Sequence, residues 1–274
     1  MTITGNVLVI LLITLDHQLH TPMYFFLLNL ALIEILYTTD IIPNTLKNLL
    51  NENKVISFVG CFTQMFLFVT LGGSECILLG IMAYDRYVAI CHPLLYTVIM
   101  KKSFCLCLAL VCWAIGFFDS VIHTVLTATL PYCQQRLVRH YFCDIPPLLK
   151  ISCKDTYINE LVVFLVGGSV IVGSLLLTLI SYIFVIGEIY RIPSTSGKKK
   201  AFSTCTSHLT VVSIFFGTVI LTYLRPASQS YNYDQIMSLV YVVVTPLINP
   251  LIYSFRNKDV QKALKKVLKD RLVV

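Results

Sequence analysis

Long apolar runs, bounded by charges, prolines and turn residues, follow one another along almost the whole chain. Seven of them are read as membrane-spanning helices: Thr2 to Leu15, Met23 to Leu50, Phe58 to Tyr84, Phe104 to Leu130, Ile158 to Tyr190, Ser207 to Leu224 and Ile236 to Phe255. A helix rises 1.5 Å per residue, so crossing a hydrocarbon core of roughly 30 Å takes about 20 apolar residues. The first run reaches only about 22 Å, and it is read as a helix cut off at its start. After the seventh run, Val260, Leu264, Val267 and Leu268 recur at i, i+4, i+7 and i+8 among lysines. That spacing predicts an amphipathic helix over about 258–270, lying on an anionic leaflet. The predicted fold is an all-α membrane protein, one domain over 1–274, built as a seven-helix transmembrane bundle with a short amphipathic C-terminal helix.

Composition narrows the class. Of 274 residues, 57% are hydrophobic and 13% charged, which excludes an ordinary soluble domain. Charge then sets an orientation. If the C-terminus is cytoplasmic, that side holds Arg86, Lys101, Lys102, Arg191, Lys198, Lys199, Lys200, Arg256, Lys258, Lys262, Lys265, Lys266, Lys269 and Arg271, whereas the other holds Lys47, Lys54, Arg136, Arg139, Lys150, Lys154 and Arg225. The excess satisfies the positive-inside rule and, with seven spans, places the N-terminus outside.

Four cysteines, Cys61, Cys133, Cys143 and Cys153, fall on the predicted outer side, where oxidation is permitted. Spacing alone allows three pairings. The other six read as small hydrophobes. The stretch from Pro131 to Tyr157 is the longest connection and is expected to be a stapled loop without helix or strand.

Polar groups inside the spans carry the candidate chemistry. Glu34 and Glu75 lie well within the second and third spans, where paired carboxylates call for a shared proton or cation. Asn249-Pro250, with Pro246 before it and Tyr253 after it, breaks the seventh helix and makes a pivot. Arg86, beside Asp85, stands at the inner end of the third span. Asp119 and His123 are four residues apart in the fourth span and read as a structural pair.

The strings Leu19-His20-Thr21-Pro22-Met23-Tyr24, Met82-Ala83-Tyr84-Asp85-Arg86-Tyr87-Val88-Ala89-Ile90-Cys91, Lys200-Ala201-Phe202-Ser203-Thr204-Cys205 and Pro246-Leu247-Ile248-Asn249-Pro250-Leu251-Ile252-Tyr253 occur in this order. Together they resemble the signature set of vertebrate olfactory receptors, within the rhodopsin-like G-protein-coupled receptors, and the similarity runs from Gly5-Asn6 to the tail. Two features depart from the family pattern. Glu34 stands where an aspartate is usual, and no Asn-x-Ser/Thr sequon occurs.

The resemblance implies odorant binding and coupling to a stimulatory G protein of the olfactory type. It implies that Asp85, Arg86 and Tyr87, with Tyr182, Asn249, Pro250 and Tyr253, form the coupling and switch residues, and it places Glu34 and Glu75 at the positions of a sodium pocket, where they would hold a sodium ion or share a proton. It pairs Cys61 with Cys143 and Cys133 with Cys153. A ligand pocket is expected between the third, fifth, sixth and seventh spans, lined by Phe68, Val69, Gly72, Gly73, Val166, Val170, Phe216, Ile220 and Tyr223. Tyr223 would be its hydrogen-bonding group, and no acidic residue is expected in its wall, so the agonist should be small, volatile and mostly apolar. The expected partners are that odorant, a heterotrimeric G protein and the plasma-membrane bilayer, with no nucleic acid. No other cofactor is implied.

Other classes fit less well. A transporter or channel should show repeated halves with paired broken helices, but the consecutive proline breaks occur only in the seventh span. A metal at His140 and Asp144 is disfavoured by the intervening cysteine. His208 and Ser203 form no nucleophile and base set, so an enzyme is not expected. A receptor relic that no longer signals remains as an alternative, to be tested by surface staining.

Overall fold

The computed structural model describes residues 1–50, 56–133, 138, 140–223, 238, 240–255 and 260–266. Their regular structure is helical throughout. The long helices are α1 (Thr2–Leu15), α2 (Pro22–Leu50), α3 (Phe58–Cys91), α5 (Lys102–Ala128), α8 (Gly168–Arg191), α9 (Thr195–Tyr223) and α10 (Thr245–Phe255). Three short ones, α4 (Tyr96–Ile99), α6 (Ile145–Lys150) and α7 (Tyr157–Val162), lie between them. Five helical stretches are long and apolar enough to cross a bilayer; Thr2–Leu15 and Val240–Tyr253 are shorter apolar helices.

The sequence explains where several elements begin. Pro22 opens α2, where its missing N–H costs nothing. Ser57 caps α3 by accepting from the Gly60 N–H. In the Pro131 to Tyr157 connection, expected to lack regular structure, Asp144 accepts from the Ile145 N–H and Pro146 stands in the first turn, so α6 forms. The fifth span is one continuous helix from Tyr157 to Arg191, widened by a π-helical turn at Val163–Gly167. A second π turn, Val240–Val244, leads into α10.

Helices extend beyond the apolar runs at several ends. The third helix continues past Tyr84 to Cys91, and α9 starts at Thr195. Lys198, Lys199 and Lys200 therefore belong to a helix, not to the loop expected there. A hydrophobic run marks only the part of a helix that lies in hydrocarbon, while Lys and Arg are good helix formers in water. The 260–266 segment is helical, burying Val260 and Ala263, and Lys266 Nζ lies 3.5 Å from Asp16 Oδ1. Leu224, Ile236 and the expected helical positions 258–259 and 267–270 lie outside the described residues.

Helix α3 runs through the centre and packs on α2, α5, α8 and α9. Its outward neighbours leave Phe117, Phe118, Phe164, Ile183 and Phe184 exposed, a surface suited to lipid and not to water. The α3–α5 crossing is held through small residues and polar side chains, as expected inside a membrane. Ser120 Oγ donates to the Phe66 carbonyl (2.6 Å) and Cys112 Sγ to the Ser74 carbonyl (2.9 Å), while Trp113 Nε1 ties α5 to α2 by donating to Asn29 Oδ1 (3.2 Å). A Cβ on Gly116 would stand 2.6 Å from the Thr70 carbonyl oxygen and 2.9 Å from the Ser74 nitrogen. Both are backbone atoms that cannot rotate away. Gly116→Leu should therefore force α3 and α5 apart, at an overpacking cost of about 1–3 kcal/mol or more. A lower melting temperature of detergent-purified protein is the expected reading; an unchanged one would show that the crossing yields freely.

Candidate functional site

At the disulfide end of the bundle a cavity opens between α3, α5, the widened fifth span, α9 and the Val240–Val244 turn, with Ile145 of α6 in its wall. Its enclosed volume is about 80 Å³, so only a small molecule fits without the walls moving. Phe68, Val69, Gly72, Gly73, Val170 and Tyr223 all line it. Gly72 makes room for Tyr241, whose hydroxyl lies 2.7 Å from where a Gly72 Cβ would stand. The aromatic wall is continuous: Tyr241 packs against Phe68 (5.9 Å between centroids) and Phe215 (5.6 Å).

Two disulfides fasten the connection that covers this mouth. Cys61 at the start of α3 is joined to Cys143 (Cα–Cα 5.4 Å), and Cys133 to Cys153 (Cα–Cα 6.0 Å). Gln64, one turn past Cys61 on α3, accepts from the Cys143 N–H (3.0 Å) and donates to the Asp40 carbonyl (3.1 Å), so α2, α3 and the lid are tied at one point. Asp144 is buried beside this bond. It accepts from the Ile145 N–H (2.7 Å) and from the Tyr223 hydroxyl, 2.9 and 3.1 Å from its two oxygens. The lid is thereby latched to the end of α9. His140 contacts the Phe142 carbonyl (3.0 Å) and Ser238 Oγ (2.9 Å).

Burial pushes the Asp144 carboxyl up, against the pull of the nearby His140 and of the hydrogen bonds from Ile145 and Tyr223. The folded protein thus binds this proton more tightly than the unfolded chain. The linked stability is fully present below the ordinary aspartate value of about 3.9 and is lost as pH rises through the raised one. Asp144→Asn, neutral at every pH, should flatten the melting-temperature profile across that acidic window. A profile as steep as the native one would place the slope elsewhere.

At the opposite end of α3, Arg86 Nη2 lies 2.6 Å and Nε 3.2 Å from Asp85 Oδ2. The Tyr96 hydroxyl donates to Asp85 Oδ1 (2.9 Å), so the fully buried carboxylate is shared between its neighbour and the short helix α4. Tyr87 Oη lies 3.0 Å from His92 Nε2. Nearby, Tyr182 Oη of α8 is 2.7 Å from His208 Nδ1 of α9, with the two rings stacked. That contact bridges the two helices next to Arg86.

The family model of the olfactory receptors matches residues 1–271. The chain belongs to the olfactory receptor family. Olfactory receptor 8H3 of Homo sapiens is 51% identical over 271 residues, 98% of this chain and 86% of that protein. Olfactory receptor 8H1 of Homo sapiens is 52% identical over 271 residues, covering 98% and 87%, and olfactory receptor 5AP2 of Mus musculus is 47% identical over 274 residues, covering 100% and 86%. The receptor is accordingly a multi-pass membrane protein of a signalling family and not an enzyme.

Midway along the receptor, Glu34 and Glu75 are both buried, and Asn249 Nδ2 donates to Glu34 Oε1. Among the described residues, the buried Glu34 Oε2 and Glu75 Oε1 have no hydrogen-bond partner. Pro250, one residue on from Asn249, faces Gly5: a Cβ on that glycine would stand 3.2 Å from the proline ring. Tyr253 is buried, and its hydroxyl has no hydrogen-bond partner among the described residues.

Three of the expected pocket residues do not line the cavity. On α9 the wall is made by Phe215 and Val219, with Phe216 and Ile220 turned into the packed core. The stripes 216, 220, 223 and 215, 219, 223 share Tyr223, and spacing cannot choose between faces so close. Val166 lies in the π turn, which rotates the residues ahead of it; Val163, Gly167 and Gly168 take its place. The Tyr223 hydroxyl donates to Asp144, which leaves its oxygen only as an acceptor for a ligand. The wall does contain an acidic residue. Asp119 and His123, read from sequence as a structural pair, both line the cavity, as do Cys76 and Tyr241. Their only sequence signal was polarity at i, i+4 in a span.

Proposed function

We propose that this receptor binds small volatile odorants, mostly apolar, in the cavity under the disulfide-fastened lid, and activates a stimulatory G protein of the olfactory type to raise cAMP. One observation carries the reading: a single helix, α3, lends Phe68, Val69, Gly72 and Gly73 to the cavity and Asp85 and Arg86 to the opposite end. A ligand packed beside Gly72 and Phe215 that favours one of two packings of the bundle shifts the state of Arg86. In the resting pair Arg86 is occupied by Asp85. Released, its guanidinium is available to a partner. The Tyr182–His208 contact and the Asn249-Pro250 pivot, with Tyr253 beyond it, are the elements that would rearrange. The lid end faces outside and the Arg86 end the cytoplasm of the plasma membrane, supported by the positive-inside count.

A sodium ion fits the middle of this path. The unpartnered oxygens of Glu34 and Glu75 are hard ligands in a buried setting, and those two residues would hold it. The ion would supply the positive charge that two buried carboxylates lack, while Asn249 orients Glu34.

The test is a panel of small volatiles on cells bearing the chain, with cAMP read in the presence and absence of the olfactory-type stimulatory G protein and surface level measured by staining. A cAMP rise that requires the G protein is expected. Substrate flux without cAMP would favour a transporter, and silence from a surface-expressed chain would overturn the reading.

A further inference from the structure

Resting on the reading of the cavity as the odorant site, we infer that Asp119 and His123 form a polar pole there that selects a small protonated amine. Both side chains are buried, 7% and 3% exposed, and both line the cavity. His123 Nε2 lies 3.3 Å from Asp119 Oδ1, but the approach is not that of a hydrogen bond, and among the described residues Oδ1 has no donor. The second oxygen lies beside Gly73, which also lines the cavity: a Cβ on that glycine would stand 3.4 Å from the Gly116 Cα and 3.9 Å from Oδ2. On the far side, a Cβ on Gly167 of the π turn would stand 3.4 Å from His123 Nε2. Two glycines thus clear the approach to one carboxylate and one imidazole.

The rest of the wall decides the sign of the charge. Among the described residues that line the cavity there is no lysine or arginine, and the other polar groups are Tyr223, Tyr241 and Cys76. Tyr223 already donates to Asp144, and the Cys76 thiol points to the Val170 carbonyl (3.9 Å). A buried carboxylate short of donors is costly. An ammonium group brings both the opposite charge and several N–H donors. An alcohol brings one donor and no charge, an aldehyde none, and a carboxylic acid adds a second anion beside the first. The apolar and aromatic remainder takes the hydrocarbon part. The ligand class is therefore a compact apolar skeleton ending in one amine.

The experiment compares four probes of equal chain length, n-hexylamine, 1-hexanol, hexanal and hexanoic acid, on the full chain, with cAMP responses normalised to surface level. Hexylamine is expected to act at a concentration at least about tenfold lower than 1-hexanol, and hexanoic acid to be inactive. Asp119→Asn should raise the effective concentration of hexylamine by about tenfold or more while leaving that of 1-hexanol within about threefold. If that variant fails to reach the surface, the potency order on the native chain alone decides. A response to 1-hexanol equal to or stronger than that to hexylamine, or an Asn variant that weakens both alike, overturns the amine assignment and leaves the odorant reading standing. Silence to all four overturns the assignment, and silence to the wider volatile panel overturns the odorant reading with it.

Discussion

Arg86→Ala is expected to abolish G-protein activation while ligand binding persists. The cavity and Arg86 lie at opposite ends of α3, so the substitution leaves every cavity residue in place. At its own end it removes the guanidinium that a partner would meet and leaves Asp85 with Tyr96 as its hydrogen-bond donor. Losing one member of a buried pair costs about 3–5 kcal/mol, a figure to be reduced here because Arg86 keeps 15% of its side chain exposed. Surface level must therefore be measured beside cAMP. Asp85→Asn is the complement: it releases Arg86 without deleting it, and basal cAMP should rise. Retained odorant-driven cAMP in surface-expressed Arg86→Ala would refute the assignment of Arg86.

Gly72→Phe is expected to silence the receptor from the other end. A Cβ alone at this position meets the Tyr241 hydroxyl at 2.7 Å, and a phenyl ring must enter the space between Phe68, Phe215 and Tyr241. Tyr241 is at the tip of a side chain and can move, so the helix should survive while the cavity fills. The expected result is normal surface level, normal basal cAMP and no odorant response. A variant that responds at the native concentration would place the ligand elsewhere.

How far the sequence carried depends on what kind of fact each feature is. Asp85 and Arg86 are neighbours in the chain, so their pairing could be read directly. The cysteines could be sided by the charge count, but spacing left three pairings, and only the resemblance and then the structure chose Cys61 with Cys143. Glu34 and Glu75 were recognisable because carboxylates inside apolar runs need a reason; that Asn249, more than two hundred positions from Glu34, would supply a donor was not. The cavity wall was legible on α3, where two glycines break an otherwise bulky face, and misjudged on α9, where Phe215 and Phe216 are chemically alike and rotation is set by neighbouring helices. The π turn at Val163–Gly167 has no strong signature and displaced Val166. Asp119 and His123 read as a structural pair in the sequence, because spacing shows that two residues share a face but not that the face borders a cavity. Helix ends were least legible, since α3 and α9 continue through polar sequence after leaving the hydrocarbon.

The decisive link in the proposed signalling path runs from odorant in the cavity beside Gly72 through Arg86 to cAMP. Its most direct test is one dose–response series, run with an odorant active on the native chain, on native, Gly72→Phe and Arg86→Ala receptors matched for surface level. A saturable cAMP rise is expected in the native receptor, none in either variant, and retained odorant binding in Arg86→Ala alone of the two. Native-like cAMP from Gly72→Phe, or loss of binding in Arg86→Ala, would contradict it.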